Sequence, residues 1–252
     1  MAGNSPFLGG MAPTVLPEAH ATPHLALDGR LSQEDRTRLR KIPSYKNAFS
    51  VVWMYGQNIL ILTAAAKINS PETWVVAFLL MGRAHAQFAS LMHEAAHRLL
   101  FTHKATNDFV GNWLLGYTEL TSTQAYRRVH MAHHKREFGP NEPDIPLYAN
   151  YPISRASLRR KLIRDATGQT GYKLLRNQMK GLRSTDTRVR NTLWKMLGVQ
   201  VVIAAAFTVA GYWWMYPVMW VAPYLTVWRV INRLRSIACL LYTSDAADDS
   251  LR

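Results

Sequence analysis

The amino-acid sequence predicts an all-α integral membrane protein. It reads as four transmembrane helices in two hairpins, with a cytosolic helical cap that carries clustered histidines. Three observations carry this reading. Apolar residues gather in a few dense runs. The basic residues that give the 252-residue chain its formal net charge of +14 lie mostly between those runs. Five of the nine histidines fall in two short clusters beside them. The mean hydropathy of −0.11 is low for a membrane protein only because it averages the runs with long polar segments. A charge of +14 on its own could suggest a nucleic-acid partner, but its distribution is that of cationic loops flanking a bilayer, and no nucleic acid is expected.

Residues 1–30 are rich in Gly, Pro and small residues and read as a disordered tail. They lack the basic start and apolar stretch of a secretory signal. The main domain is expected over 31–238. Its first span, Ala48 to Ala66 (AFSVVWMYGQNILILTAAA), has no charge over 19 residues. The second, Thr73 to about Met92, is interrupted only by Arg83 and His85. Between them lies only KINSPE, in which Asn69-Ser70-Pro71 supplies a turn and a helix start. The third and fourth spans, Leu197 to about Tyr212 and Trp213 to about Trp228, form one long apolar stretch broken near GYWWMYP. A span needs about 20 mostly apolar residues, so this last pair is slightly short. The segment Asn107 to Leu120 is shorter still and carries two glycines. It reads as an interfacial or re-entrant helix.

The loops set the orientation. Arg30 to Lys46 holds six Lys or Arg residues and Arg98 to Arg190 seventeen, and Arg229, Arg233 and Arg235 follow the last span. Positive flanks favour the cytoplasmic side, which places both termini and the large central loop in the cytoplasm. The only cysteine, Cys239, excludes an intramolecular disulfide. It opens CLLYTSDAADDS, a string that resembles nothing upstream and looks like the translation of a common transposon-type sequencing adaptor. Residues 239–252 are therefore expected to be a non-native tail, the alternative being an acidic disordered C-terminus.

The histidines carry the chemistry. His93-Glu94-x-x-His97 fits the zinc-protease pattern, in which two histidines hold zinc and the glutamate is the base. It also fits an H-x-x-x-H iron site. Four residues apart, His93 and His97 share a helix face. His130, His133 and His134 in YRRVHMAHHKREFGP have i, i+3, i+4 spacing, again one face. Imidazole suits iron, zinc, copper and nickel, and five imidazoles exceed what one tetrahedral zinc needs. Two clusters, each beside a membrane span, point to a metal site.

HEAAH followed by HMAHH between two membrane hairpins resembles the membrane fatty acid desaturases and their hydroxylase relatives. RRVHMAHHKREFGPNEPD fits the bacterial branch, which implies a bacterial inner membrane, and the resemblance covers roughly Tyr45 to Arg235. It implies a di-iron centre of two Fe ions on the cytoplasmic side, with His93, His97, His130, His133 and His134 as ligands. It implies O2 as co-substrate, a membrane lipid or acyl-thioester substrate, and a separate electron donor of ferredoxin or cytochrome b5 type. The expected reaction places a double bond in an acyl chain. The alternatives are a related lipid hydroxylase or ketolase, an intramembrane HExxH zinc metalloprotease, and a membrane scaffold or transporter with incidental histidines. The family's third histidine box would follow the fourth span. No histidine follows His134 here, so this chain is expected to bind iron incompletely and to be inactive as it stands.

The remaining residues divide between chemistry and packing. Glu94 is the base on the protease reading and a carboxylate that orients a ligating histidine on the iron reading; the latter is favoured. His85 is expected to be a hydrogen-bonded core residue, and Arg83 to snorkel or pair with a neighbour. Asn107 and Asp108 are read as possible caps, and His20, His24 and His103 as solvated. YWWMYPVMW is read as an aromatic belt. The basic segment that starts at Ser154 is expected to form helices on the anionic leaflet, with Leu158, Leu162, Leu174 and Leu175 facing inward.

Overall fold

The computed structural model describes residues 31–136, 143 and 153–241, and the regular elements among them are helices. The expected tail at 1–30 lies outside the described residues, as does the expected tail at 239–252 except for its first three residues, which end the last helix. A short α1 (Gln33–Leu39) leads into α2 (Ser44–Ile68). α2 stops at Asn69, which takes the left-handed conformation (φ 52°). α3 (Pro71–His97) begins immediately, with Ser70 accepting from the Thr73 N–H and Pro71 in the first turn, where its missing N–H costs nothing. At 27 residues α3 is about 40 Å long against a hydrocarbon core of about 30 Å. Its last turns, which carry His93 and His97, can therefore stand clear of the bilayer.

The segment after α3 is helical but irregular. α4 (Lys104–Phe109) widens into a π-helical stretch (Val110–Gly116) and tightens into a 3₁₀ turn (Tyr117–Glu119). It packs closely on α3: a Cβ at Gly111 would sit 2.8 Å from the Ala95 Cβ. Its freed carbonyls are met by side chains. Leu114 O accepts from Tyr55 and Thr118, Tyr117 O and Thr118 O from Gln200 at 2.8 and 3.0 Å, and Leu120 O from Gln178 at 2.6 Å. Irregular backbone is tolerated at membrane depth when protein satisfies it in this way, and most of Gly111 to Leu120 is buried.

α5 (Thr123–Arg136) carries the second histidine cluster. α6 (Arg155–Ala166) and α7 (Gln169–Met179) follow, then α8 (Thr187–Val209). α8 starts ten residues before the expected boundary, because Asp186 caps it by accepting from the Arg188 N–H and its first turns are basic. Three stretches, Gln33–Ile68, Pro71–His97 and Thr187–Val209, are long and apolar enough to cross a membrane. The expected fourth span is not continuous. It is a π-helical turn (Tyr216–Val221), a short α9 (Ala222–Leu225), a break at Thr226 (φ −118°, ψ −84°), and α10 (Val227–Leu241). Pro217 and Pro223 remove two amide donors, and the Pro223 ring opposes the carbonyl four residues back, which a π turn accommodates.

The core sits between α2, α3 and the broken segment. Phe88 is fully buried against Tyr55 and Trp220, both edge-to-face. A second cluster joins Tyr117, Met196, Tyr224 and Trp228.

Candidate metal centre

The i, i+4 spacing of His93 and His97 puts both rings on one face of the last turns of α3, 4.6 Å apart between centroids. α5 brings His130 against them, at 4.6 Å from His93 and 4.9 Å from His97. The ring nitrogens converge. His97 Nε2 lies 3.4 Å from His93 Nε2 and 2.9 Å from His130 Nε2, and His134 Nε2 lies 2.8 Å from His130 Nε2. One nitrogen from each of His93, His97 and His130 falls within 4.8 Å of the others. His133 is at the edge, its ring 5.3 Å from His134 and 5.9 Å from His130. All five except the half-buried His97 are buried.

These separations fit a metal ion. A metal–nitrogen bond of about 2.0–2.1 Å puts adjacent ligand nitrogens about 2.9–3.4 Å apart, close to the observed range. The electrostatics fit as well. Burial, reinforced by the neighbouring imidazoles, pushes His130 down to about 2, which leaves it neutral with a lone pair to offer. Tyr126 stacks on the outer side of His130 at 5.0 Å. Glu94 meets the cluster through His93: its carboxylate is 3.4 Å from Nδ1 of that ring, whose Nε2 lies 3.4 Å from His97 Nε2.

Several surrounding residues take roles that differ from those expected. Asn107 and Asp108 do not cap α4; the His103 side chain does, accepting from the Thr106 N–H. Asn107, fully buried, instead donates to Ala95 O at 2.8 Å and accepts from the Phe101 N–H. Asp108 accepts from Arg127 at 2.7 Å and faces Arg98 at 3.6 Å. Leu174 is exposed while Leu158, Leu162 and Leu175 are half-buried, so only part of the expected apolar stripe faces inward. Arg83, by contrast, pairs with a neighbour as expected, donating to Gln57 of α2 at 3.1 Å. The aromatic segment is divided: Trp213 is exposed, Trp214 packs on Trp74, and Trp220 is core.

His85 is a core histidine, as expected. Its ring lies between Glu119, at 2.5 Å from Nδ1, and the Trp220 carbonyl, at 3.0 Å from Nε2. Its partner Glu119 went unread because it sits inside an apolar segment with no periodic signal. The ion pair of buried Asp165 with Arg233 went unread for another reason, that 68 residues separate the two.

A family model described as "Fatty acid desaturase" matches residues 71–249. The chain belongs to the fatty acid desaturase family. No curated protein and no solved structure matched it. The resemblance carried by HEAAH and HMAHH therefore stands, and the chain is a membrane protein of oxidoreductase type. In this desaturase-family chain, both clusters meet at one point beyond the apolar length of α3.

Proposed function

We propose that the chain holds the iron of a di-iron fatty acid desaturase, which places a double bond in a lipid acyl chain using O2 and electrons from outside. The convergence of four imidazole Nε2 atoms from HxxxH and HxxHH carries this reading. His93, His97, His130 and His134 would hold the first ion and His133 would contribute to a second, whose remaining ligands would come from outside the described residues. When bound, iron would supply the activation of dioxygen needed to break an unactivated C–H bond. The chain's own residues supply the rest: Glu94 orients His93, His130 stays neutral, and Tyr126 covers the His130 face against water.

Support for an acyl substrate comes from a cavity of about 970 Å³ between α2, the 104–116 stretch and α8. Its lining is apolar over nearly its whole surface, with Ile59, Leu62, Val202, Phe207 and Trp220 on its walls. Trp220 in turn packs on His85 and Phe88, one to two turns of α3 from His93. The substrate is read as a membrane lipid or acyl thioester, the donor as a separate ferredoxin- or cytochrome b5-like protein, and the setting as a bacterial inner membrane with cytoplasmic termini. Hydroxylation would use the same site and differ only in product. The protease reading is disfavoured, because one tetrahedral zinc needs fewer imidazoles than the five present and leaves the HMAHH cluster unexplained.

The test is expression of the gene, with its genomic continuation beyond Ala238, beside several electron donors, followed by acyl-chain profiling and metal analysis. New unsaturation and iron near two per chain are expected. Zinc at one per chain, with peptide cleavage lost in Glu94→Gln, would establish the protease instead.

A further inference from the structure

α6 and α10 enclose a second groove, of about 410 Å³. Leu158, Leu162 and Ile163 of α6 and Val230 of α10 line it, with Arg155 and Arg159 beside them. The two arginines are one helical turn apart, so their guanidiniums can converge on one group. Both are exposed, and neither has an anionic partner among the described residues.

The surrounding charge is one-sided. α6, α7 and α10 together carry ten Lys or Arg residues and a single acidic residue, Asp165. Asp165 is fully buried and held by two nitrogens of Arg233, so it compensates nothing at the groove. The same ion pair fixes α10 against α6. The groove is therefore a set feature of the packing, with an apolar trough and an uncompensated cationic lip. Besides the two guanidiniums, no lining side chain offers a hydrogen bond. An extended peptide would leave the backbone groups facing the trough unpaired, whereas a hydrocarbon chain needs no such partner.

We propose that this groove seats one acyl chain of an anionic membrane phospholipid, with its phosphate held by Arg155 and Arg159. The site is separate from the histidine centre and does not depend on its chemistry.

The test uses the full chain in phosphatidylcholine nanodiscs containing a minor fraction of phosphatidylglycerol, followed by native mass spectrometry of the retained lipid. Each basic residue near an anionic surface contributes about 1 kcal/mol, so two give roughly thirtyfold retention of phosphatidylglycerol over phosphatidylcholine. R155E/R159E should abolish that preference. R160E/R164E makes the same charge change at exposed positions outside the lining and should keep it. If R155E/R159E does not accumulate, the neutral pair R155Q/R159Q carries the same expectation. Equal retention of the two lipids overturns the proposal. So does equal loss in both charge-reversal variants, which would show only a diffuse field, or displacement of the lipid by inorganic pyrophosphate, which would show a site for soluble phosphates.

Discussion

Arg127 donates to the Asp108 carboxylate at 2.7 Å, and the same guanidinium reaches the carbonyls of Ala95 and Ala96 at 2.7 Å each. Ala95 and Ala96 lie between His93 and His97, and Arg127 lies one turn before His130. One side chain thus ties the end of α3 to α5 and sets the spacing of the two histidine clusters. Arg127→Ala should cost about 1.5–3 kcal/mol of stability and weaken metal binding about 10–100-fold. Arg127→Lys keeps the charge but not the planar fork, so it should recover only part of each. Thermal melts and cobalt titration read both quantities. Unchanged metal affinity in Arg127→Ala would refute the spacing role.

The pH response of this clamp has a defined sign. Burial alone would raise the Asp108 carboxyl, but the hydrogen bond and charge of Arg127, with help from Asn107 and Arg98, bring it below the usual aspartate value. A depressed folded value gives stability that is complete above the unfolded value of about 3.9 and is lost as pH falls through the folded value. Wild type should therefore exceed Asp108→Asn in melting temperature at neutral pH, and the gap should close in acid. A gap that is constant with pH would contradict this.

His130 is the hub of the cluster, with two imidazole nitrogens within 3 Å of its own. On the proposed reading, His130→Ala should remove most bound iron, while His133→Ala, at the edge, should remove less. Plasma emission analysis of the purified variants decides the order.

The buried Asp165–Arg233 pair gives an asymmetric expectation. Asp165→Asn leaves a largely buried guanidinium without its charge partner and should cost about 3–5 kcal/mol, whereas the apolar pair D165L/R233M should be close to neutral. Chemical unfolding of the three proteins tests this. Equal destabilisation by the single and the double change would rule it out.

Gly82 marks the contact of α3 with α10. A Cβ there would sit 2.3 Å from the Val227 Cβ, and a β-branched residue has little room to rotate away. Gly82→Ala should cost about 1–3 kcal/mol, and part of that should return in G82A/V227G, which removes the Val227 Cβ. No recovery in the double variant would place the strain elsewhere.

What the sequence made legible was local. His93 with His97, and His130 with His134, are one turn apart, so a helix alone puts each pair on one face. Ser70-Pro71 marked the start of α3 because capping is decided within four residues. What stayed hidden depended on distance or on broken periodicity. Nothing near Asp165 announces Arg233. Glu119 sits where the backbone passes from π to 3₁₀ geometry, so no helical period relates it to His85. The early start of α8 was obscured because Arg188, Arg190 and Lys195 made its first turns look like loop. The fourth span loses its regular α-helix in the π turn at Tyr216–Val221 and breaks at Thr226, and its overall hydrophobicity masked both.

The irregular stretch between α4 and α5 is held by Tyr55 of α2 and Gln200 of α8, two helices long and apolar enough to cross the bilayer. The position of His130 is therefore set partly by how those helices lean. Transmembrane helices respond to hydrocarbon thickness by tilting. Acyl chain length in the surrounding membrane should thus alter the gap between the two histidine clusters, coupling the geometry of the centre to bilayer thickness.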